Sequence, residues 1–278
     1  KVEKPLLTNG IECVIIRKRW LEGVLLRIFL DGKMIYEIAD LRIRIENRCS
    51  FTTKFCKEYF SRIDGPFDLS AKVSKAAFAE EKRLSPGYSD GYIENICLYR
   101  EICMQLPRFD RFLLHAAVLS FAGEGYAFLG RSGIGKSTHT GLWLKYFPET
   151  RIINGDKPVI AKKGSCFYAY GTPWNGKEGR GEKGSAVLKG LCFLEQAKEN
   201  RLTRLTEKEA ADRIFSQILI PSDEENAAKT LELADGLISS MPAYLLCADV
   251  SEEAVKTSFE GLTGRKYSRW KRRGEYED

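Results

Sequence analysis

The residues with the clearest chemical character form a glycine-rich stretch, residues 130–137, whose spacing is Gly-x-x-x-x-Gly-Lys-Ser. Glycines at this spacing let consecutive backbone N–H groups turn toward a phosphate, and a following helix adds the positive end of its dipole. The lysine of such a loop reaches the β- and γ-phosphate oxygens, and the serine hydroxyl ligates Mg²⁺. The stretch therefore predicts a binding site for ATP and Mg²⁺. The residues predicted to bind are Gly130, Ser132, Gly133, Ile134, Gly135, Lys136, Ser137 and Thr138.

The flanking sequence favours this interpretation over the alternative, a glycine-rich turn with a solvated lysine. An apolar, strand-like run at residues 126–129 precedes the loop, and a helix is predicted at residues 136–147 directly after it. Strand, loop and helix in this order form the context in which the motif binds phosphate.

A loop that binds MgATP needs a carboxylate to hold the metal from the other side, and Asp156 is the candidate. It follows the strand-like run at residues 151–154, and about twenty residues separate it from Lys136, enough for one helix and one turn. We expect Asp156 and Ser137 to hold Mg²⁺. The alternative is an aspartate that forms a turn before Pro158.

The chain has two histidines. His115 precedes a predicted strand, a turn at residues 123–125 and a second strand that ends at the loop, so we expect the chain to return His115 to the loop. From the residues alone, a buried structural histidine explains it equally well. His139 follows the loop by one helical turn and is predicted to neighbour the phosphate or to lie on the surface.

Residues 171–181 are too rich in glycine for regular structure, yet they carry Trp174, Lys177 and Arg180. Such a segment suits a flexible lid that places the two cations over a transferring phosphate. A long surface loop with incidental charge is the alternative.

The elements around these residues alternate between strand-like and helical periodicity. The predicted strands are residues 117–121, 126–129, 151–154, 159–161, 167–170, 188–194 and 244–248, and the predicted helices are residues 136–147, 206–219, 227–239 and 252–262. Two helix starts have the sequence of a capping box, Thr206 with Glu209 and Asp249 with Glu252. Short turns join several of the strands, so we predict an α/β core whose sheet is partly antiparallel.

The first third of the chain shows a different pattern, which predicts a smaller N-terminal region at residues 34–108. Strand-like runs occupy residues 13–16 and 24–29, alternation extends over residues 35–45, and a helix is predicted at residues 92–106. We place the nucleotide-binding domain at residues 109–264. Residues 265–278 form a basic tail that we expect to be a solvated end.

Composition excludes several classes of protein. The 278 residues are 44% hydrophobic, which is ordinary for a globular chain and argues against disordered and fibrous classes. About half of the net charge of +6 comes from the basic tail, and such runs are more often solvated ends than nucleic-acid sites. Eight cysteines lie without Cys-x-x-Cys spacing, as expected of reduced thiols in the cytoplasm. The most apolar early run, residues 23–30, is too short to span a bilayer, so we expect no membrane partner.

Taken together, the motifs resemble the HPr kinase/phosphorylase group, which includes the ATP-dependent phosphoenolpyruvate carboxykinases. The likeness is carried by Leu-His at residues 114–115, the loop at 130–137 and Asn-Gly-Asp at 154–156. It is closer still to HPr-kinase-like proteins with Gly-Lys-Ser-Thr-His-Thr, Asp-Lys-Pro and Gly-Thr-Pro-Trp-x-Gly-Lys, here at residues 135–140, 156–158 and 171–177. The resemblance covers residues 34–262, and residues 1–33 are an extension outside it, since Met34 resembles a natural start.

This resemblance implies a mixed-sheet kinase core with a smaller N-terminal α+β region. It also implies transfer of the ATP γ-phosphoryl group to a hydroxyl, typically of serine in a protein, a peptide or the free amino acid. Lys136 and Ser137 would hold phosphate and Mg²⁺, Asp156 would be the acid linked to the metal, and His115 would lie near the transferring phosphate. Asp156 or His115 would take the acceptor proton, and Lys177 or Arg180 would close over the phosphate.

Two departures bear on activity. The family has two consecutive aspartates where this chain has Gly155-Asp156, and no copy of the HPr kinase signature follows the lid segment. HPr recognition and phosphorylase activity are therefore not carried over. The alternatives are an ATP-binding regulatory module with impaired catalysis and, less favoured because the chain is short, a small carboxykinase. The oligomeric state is open, a homo-oligomer included.

Overall fold

The computed structural model describes residues 33–63 and 65–270, so the strands predicted at residues 13–16 and 24–29 lie outside the described residues. The chain divides into two compact units. Among the described residues, the first comprises residues 33–37 together with those of Leu41–Tyr99, and the second comprises Ile38–Asp40 together with residues 100–270.

In the described part of the chain, a small three-stranded sheet in the order β1-β2-β3 and three helices belong wholly or mainly to the first unit. Its elements are β1 (Lys33–Ile38), β2 (Leu41–Glu46), α1 (Ser50–Phe55), β3 (Leu69–Lys72), α2 (Lys75–Leu84) and α3 (Asp90–Gln105). The alternation at residues 35–45 is therefore divided into two strands. Ala39 and Asp40 form the turn between them with φ of 52° and 57°, the left-handed backbone that a tight hairpin requires.

The second unit is built on one large mixed sheet, which contains nine strands in the described part of the chain. Its strands are β4 (Arg111–Leu113), β5 (Ala116–Phe121), β6 (Glu124–Leu129), β7 (Thr150–Asn154), β8 (Val159–Lys163), β9 (Cys166–Tyr170), β10 (Ser185–Gln196), β11 (Arg201–Arg204) and β12 (Ala243–Ala248). Its helices are α4 (Lys136–Tyr146), α5 (Glu207–Ile214), α6 (Glu224–Ser240), α7 (Glu252–Thr263) and α8 (Tyr267–Trp270).

The order of the sheet is β4-β8-β9-β10-β6-β5-β7, with β12 also paired to β10, and β11 to β12. Strand β10 is long because its first residues pair with β9 in antiparallel fashion, whereas its last six pair with β12 in parallel. Strand β6 is parallel to β10 and antiparallel to β5. The predicted α/β core with a partly antiparallel sheet is confirmed at this level.

Apolar side chains fill both faces of this sheet. On one face Trp143 of α4 and Phe147, which follows that helix, pack with Phe259 of α7, all fully buried. On the other face, Leu233 and Leu237 of α6 pack in a cluster with α5. Burial of each large apolar side chain stabilises the packing of a helix on the sheet by about 2 kcal/mol. This packing fixes the edge of the sheet that carries the loop at residues 130–137.

Two details of the sequence prediction were wrong, and one was confirmed. The helix predicted to extend to residue 219 ends at Ile214, because a 3₁₀ turn at Phe215–Gln217 leads the chain back to the sheet. Helix α7 is capped by Ser251, whose hydroxyl accepts from the backbone N–H of Ala254, and not by Asp249. The capping box of Thr206 and Glu209 is present as predicted.

The start of the basic tail is also not a solvated end. The Arg265 guanidinium donates to the Glu124 carboxylate at 3.0 Å, and Tyr267 is 7% exposed within the aromatic cluster of α4 and α7. The aromatic residues interleaved with the basic ones therefore anchor residues 265–270 to the core. No helix in the described part of the chain combines the length and apolar character needed to cross a bilayer.

Candidate active site

The loop at residues 130–137 joins the end of β6 to the start of α4. Gly130, Gly133 and Gly135 have φ of 141°, 79° and 111°, where a side chain is strained. A Cβ at Gly130 would also lie 3.1 Å from Ile134 Cγ2 and 3.3 Å from the Leu194 carbonyl oxygen. The loop is therefore wound so tightly that its backbone, and not side chains, forms its inner surface.

Lys136 is the first residue of α4, and its side chain folds back across the loop. Its ammonium donates to the Gly130 carbonyl at 2.6 Å and to the Arg131 carbonyl at 3.4 Å, and it lies 3.3 Å from His115 Nε2. The residue is 7% exposed. Burial lowers the pKa of Lys136, although the negative charge of Asp156 opposes that shift.

The register of the sheet explains why His115 lies at the loop. Ala116 pairs with Leu129, so the residue before β5 lies opposite the first residue after β6. Two backbone hydrogen bonds flank His115, from Leu114 N to Pro158 O at 3.3 Å and from Ala116 N to Asp156 O at 3.1 Å. The imidazole consequently contacts Asp156, with 3.1 Å between His115 Nε2 and Asp156 Oδ1.

Asp156 follows β7 and uses both carboxylate oxygens. Oδ1 accepts from His115, and Oδ2 accepts from the Lys157 ammonium at 2.9 Å. Burial raises the pKa of this carboxyl, but the hydrogen bond from His115 and the positive charge of Lys157 outweigh that effect and hold the pKa at about 2. Asp156 is therefore an anion across the physiological pH range.

The turn that presents Asp156 depends on Asn154, a residue that sequence reasoning did not single out. Its side-chain oxygen accepts from the backbone N–H groups of Asp156 and Lys157 at 2.9 and 2.7 Å, and its amide nitrogen donates to Thr172 Oγ1 at 3.0 Å. Asn154 is fully buried and Thr172 is 1% exposed. An asparagine two residues before an aspartate is a local turn signal, so the spacing could have identified it.

The second half of the predicted lid segment is hydrogen-bonded to the end of β7. Gly155 N donates to Arg180 O at 2.9 Å, Glu182 N donates to Ile153 O at 3.3 Å, and Asn154 pairs with Gly181 in an isolated bridge. A Cβ at Gly155 would lie 2.8 Å from the backbone oxygen of Asn175. Glycine at position 155 therefore allows this segment to lie against the strand.

The two cations of this segment lie at its exposed tip. Gly179 N donates to Gly176 O, which closes a turn around Lys177 and Glu178. The Arg180 guanidinium forms an ion pair with Glu178 at 3.4 Å, and Lys177 has no side-chain partner among the described residues. The segment is irregular, as predicted, and hydrogen bonds hold its second half against β7. Its movement as a lid stays a prediction.

His139 corrects a prediction. It is 5% exposed, its Nε2 lies 2.9 Å from Ser258 Oγ, and its ring packs against Phe128. Burial lowers the pKa of His139 to about 4. It is therefore a buried histidine and not a surface residue, because its position on α4 faces α7 and the sheet. Its proximity to a bound phosphate stays a prediction.

Most of the predicted site residues line a common pocket of about 390 Å³, within the range of ligand sites, whereas Gly130, Ile134 and His139 do not line it. Its lining includes His115, Lys136, Ser137, Asp156, Lys177 and Arg180. The Ser137 hydroxyl has no hydrogen-bond partner among the described residues, and in that part of the chain no three His, Cys, Asp or Glu residues cluster as a metal site. The Ser137 hydroxyl and the Asp156 carboxylate are ligands suited to Mg²⁺ that is also bound by phosphates and water. Two ligands are too few for a metal ion that is held by protein side chains alone.

Comparison with known proteins adds little. No protein-family model matches the chain, and no curated protein matches it. A solved structure, the Hpr(Ser) kinase/phosphatase from Coxiella burnetii, aligns with 55% of this chain and 93% of that chain at 10% identity and a TM-score of 0.31. Similarity at that level carries no argument about function, which rests on the geometry of the site.

Proposed function

We propose that this chain is an ATP-dependent phosphotransferase that moves the γ-phosphoryl group to a hydroxyl acceptor. The observation that carries the proposal is the position of Lys136. Its buried ammonium is held within the curled backbone of residues 130–137, in the same pocket as the unpartnered Ser137 hydroxyl and the ionised Asp156. A cation, a tightly curled backbone at a helix start and a pair of residues able to hold Mg²⁺ are components that phosphoryl transfer uses.

Each residue has a role that follows from its contacts. Lys136 would exchange the Gly130 and Arg131 carbonyls for phosphate oxygens, which gain more from its charge. Ser137 and Asp156 would hold Mg²⁺, which when bound neutralises charge on the phosphates. Asp156 would release Lys157 in doing so, since Lys157 now occupies one carboxylate oxygen.

His115 is the better candidate for the acceptor proton. A carboxyl with a pKa of about 2 is a weak base near neutral pH, so Asp156 suits orientation and metal binding. An ionised carboxylate can only accept hydrogen bonds, so His115 Nε2 carries the proton that it donates to Asp156 Oδ1. The Lys136 ammonium, 3.3 Å from the same nitrogen, therefore lies close to it without a hydrogen bond. This leaves Nδ1 as the proton-accepting nitrogen, which has no hydrogen-bond partner among the described residues.

A second pocket fits the nucleoside of the substrate. It lies beside the first turn of α4, is lined by Thr138 and Leu142, and extends to the ends of β10 and β12 at Leu194 and Ala248. Strands β6, β10 and β12 are parallel, so their carboxyl ends and the loop share one edge of the sheet. Ligands of α/β sheets bind at this edge.

Calorimetric titration with MgATP tests the proposal. Lys136→Ala is expected to weaken binding at least about tenfold, because it removes charge-assisted hydrogen bonds of about 1.5–3 kcal/mol each. Lys145→Ala is the matched control, since it removes the same charge from the exposed end of the same helix. Equal affinities for the parent and Lys136→Ala would refute nucleotide binding at this loop.

One observation favours a second candidate, an ATP-binding regulatory module with impaired catalysis. The site has a single carboxylate at the end of β7, and the Asn175 and Arg180 carbonyls leave no room for another at Gly155. Incubation with labelled ATP and serine, serine peptides or cell extract separates the two. A phosphorylated product identifies the transferase, whereas tight MgATP binding without any product favours the module.

A further inference from the structure

The pocket assigned to the nucleoside has an apolar part that is open to solvent. Val250 lines it just after β12 and is 73% exposed, the largest exposed fraction among the large hydrophobic residues in the described part of the chain. Leu142 of α4 and Leu194 of β10 line the same pocket. Aliphatic side chains in an open pocket of about 360 Å³ provide a surface on which a flat ring can pack.

The position of this pocket on the sheet suits a base whose phosphates lie at the loop of residues 130–137. The loop begins where β6 ends, and Asp249 and Val250 follow the end of β12. Strands β6, β10 and β12 are adjacent and parallel, so β12 lies two strand spacings, about 10 Å across the sheet, from the strand that leads into the loop. Gly133 and Gly135 of the loop line the pocket as well. The ribose and first phosphate of a nucleotide span such a gap.

Asp249 also lines the pocket, and its carboxylate is oriented by two neighbours. Oδ1 accepts from Asn200 Nδ2 at 2.9 Å and from the Ser251 hydroxyl. The backbone N–H of Asp249 donates to Asn200 Oδ1 at 3.0 Å, which fixes the residue a second time. Two donors use both lone pairs of Oδ1, and Oδ2 has no side-chain donor among the described residues. The carboxylate therefore has one open oxygen.

A single open oxygen distinguishes between the two common purine bases. The pairing edge of adenine has one donor, the 6-amino group, beside a ring nitrogen that accepts. The pairing edge of guanine has two neighbouring donors, which match a carboxylate with both oxygens open, and its O6 is an acceptor that a carboxylate repels. The carboxylate of Asp249 therefore suits adenine better than guanine.

We propose that Asp249 selects adenine by accepting from the 6-amino group through Oδ2, and that Val250 packs against the ring. Asn200 and Ser251 are positioning residues, because they act on the base only through the Asp249 carboxylate. The proposal rests on the proposed function, which places the triphosphate at the loop, and it adds the residue that recognises the base.

Calorimetric titration with MgATP and with magnesium purine riboside triphosphate, which lacks the 6-amino group, tests this selection. The parent is expected to bind MgATP about tenfold more tightly than the analogue, the effect of one hydrogen bond to a charged acceptor. Asp249→Ala is expected to bind the two nucleotides equally. Because the ratio is measured within one variant, a general disturbance of the pocket weakens both nucleotides and leaves the ratio unaffected.

Two further variants separate the amino group from the ring. Val250→Ala is expected to weaken both nucleotides about threefold and to keep their ratio, because it removes an apolar contact that both rings make. Glu199→Ala is the matched control, since it removes the same charge from an exposed position beside Asn200 and does not line the pocket. It is expected to keep the parent's ratio.

The proposal is overturned if the parent binds MgATP and the analogue equally, if Asp249→Ala keeps the tenfold ratio, or if MgGTP binds more tightly than MgATP. In each of these cases a loss of affinity in Lys136→Ala would leave the proposed function standing. A ratio that Asp249→Ala abolishes, combined with an affinity that Lys136→Ala leaves unchanged, would support the base site and refute the proposed function. A parent that binds no nucleotide would overturn both.

Discussion

Gly155 lies beside Asp156 at a position where the candidate site leaves no room for a side chain. In Gly155→Ala the new Cβ would lie 2.8 Å from Asn175 O and 3.0 Å from Arg180 O, both backbone atoms that no side-chain rotation can move. The segment that contains residues 175–181 must shift, and the hydrogen bond from Gly155 N to Arg180 O, 2.9 Å long, is strained with it.

The expected cost follows from these contacts. Overpacking a close-packed site destabilises by about 1–3 kcal/mol, and the weakened hydrogen bond adds up to about 1 kcal/mol. We expect Gly155→Ala to lower the free energy of unfolding by about 2 kcal/mol and the Tm by about 4–8 °C. Gly184→Ala is the matched control, because a Cβ there would lie 3.5 Å from the flexible end of Glu182 and its backbone is not in the left-handed region.

Thermal unfolding measures the stability, and limited digestion with trypsin measures the segment itself, since Lys177 and Arg180 are exposed cleavage sites. Gly155→Ala is expected to be cut faster there than Gly184→Ala at a temperature where both are folded. If the two variants melt together and are cut at equal rates, the segment is not held by close approach to Gly155. The same contacts predict that Gly155→Asp displaces the segment, so that variant does not simply restore a second carboxylate.

Two further predictions concern pH. The pKa of His139 is lowered from 6.5 to about 4, so the unfolded chain binds the proton more readily, and stability is expected to fall by about 3 kcal/mol as the pH drops from 6.5 to 4. Urea unfolding at several pH values should show this slope reduced in His139→Gln; an unchanged slope would contradict it. The pKa of Asp156 is about 2 in the folded protein, compared with an ordinary value of 3.8. The ionised carboxylate therefore stabilises the fold by about 2 kcal/mol above pH 3.8, and this stabilisation is lost as the pH falls toward 2. The deficit of Asp156→Asn should therefore be largest near pH 5 and vanish near pH 2, and a deficit independent of pH would show that the charge is not its cause.

Much of the local structure could be predicted because short-range rules govern it. The glycines at positions 130, 133 and 135 adopt the left-handed or related backbone that only glycine takes freely, so the loop could be read from the motif. Thr206 and Glu209 form their capping box because both partners lie within one helical turn. The return of His115 to the loop followed from one hairpin of two adjacent strands.

Features that depend on distant pairings could not be read in this way. The assignment of His139 failed because its neighbours Ser258 and Phe128 come from a different helix and a strand. The cap of α7 was assigned to the wrong residue because Asp249 instead bonds to Asn200, in a loop about fifty residues away in sequence. Gln217 could not be singled out from the sequence, because the spacing of its neighbours does not show that its side chain is buried.

The sequence by itself determined the phosphate-loop motif, the alternation of strands and helices and the candidate residues His115, Lys136, Ser137 and Asp156, because each depends on spacing along the chain. The tertiary structure decided what surrounds them. It sets the pKa of Asp156 through His115 and Lys157, and it makes glycine necessary at position 155 through the Asn175 and Arg180 carbonyls. Electrostatics and packing depend on distances in space, which spacing along the chain does not specify.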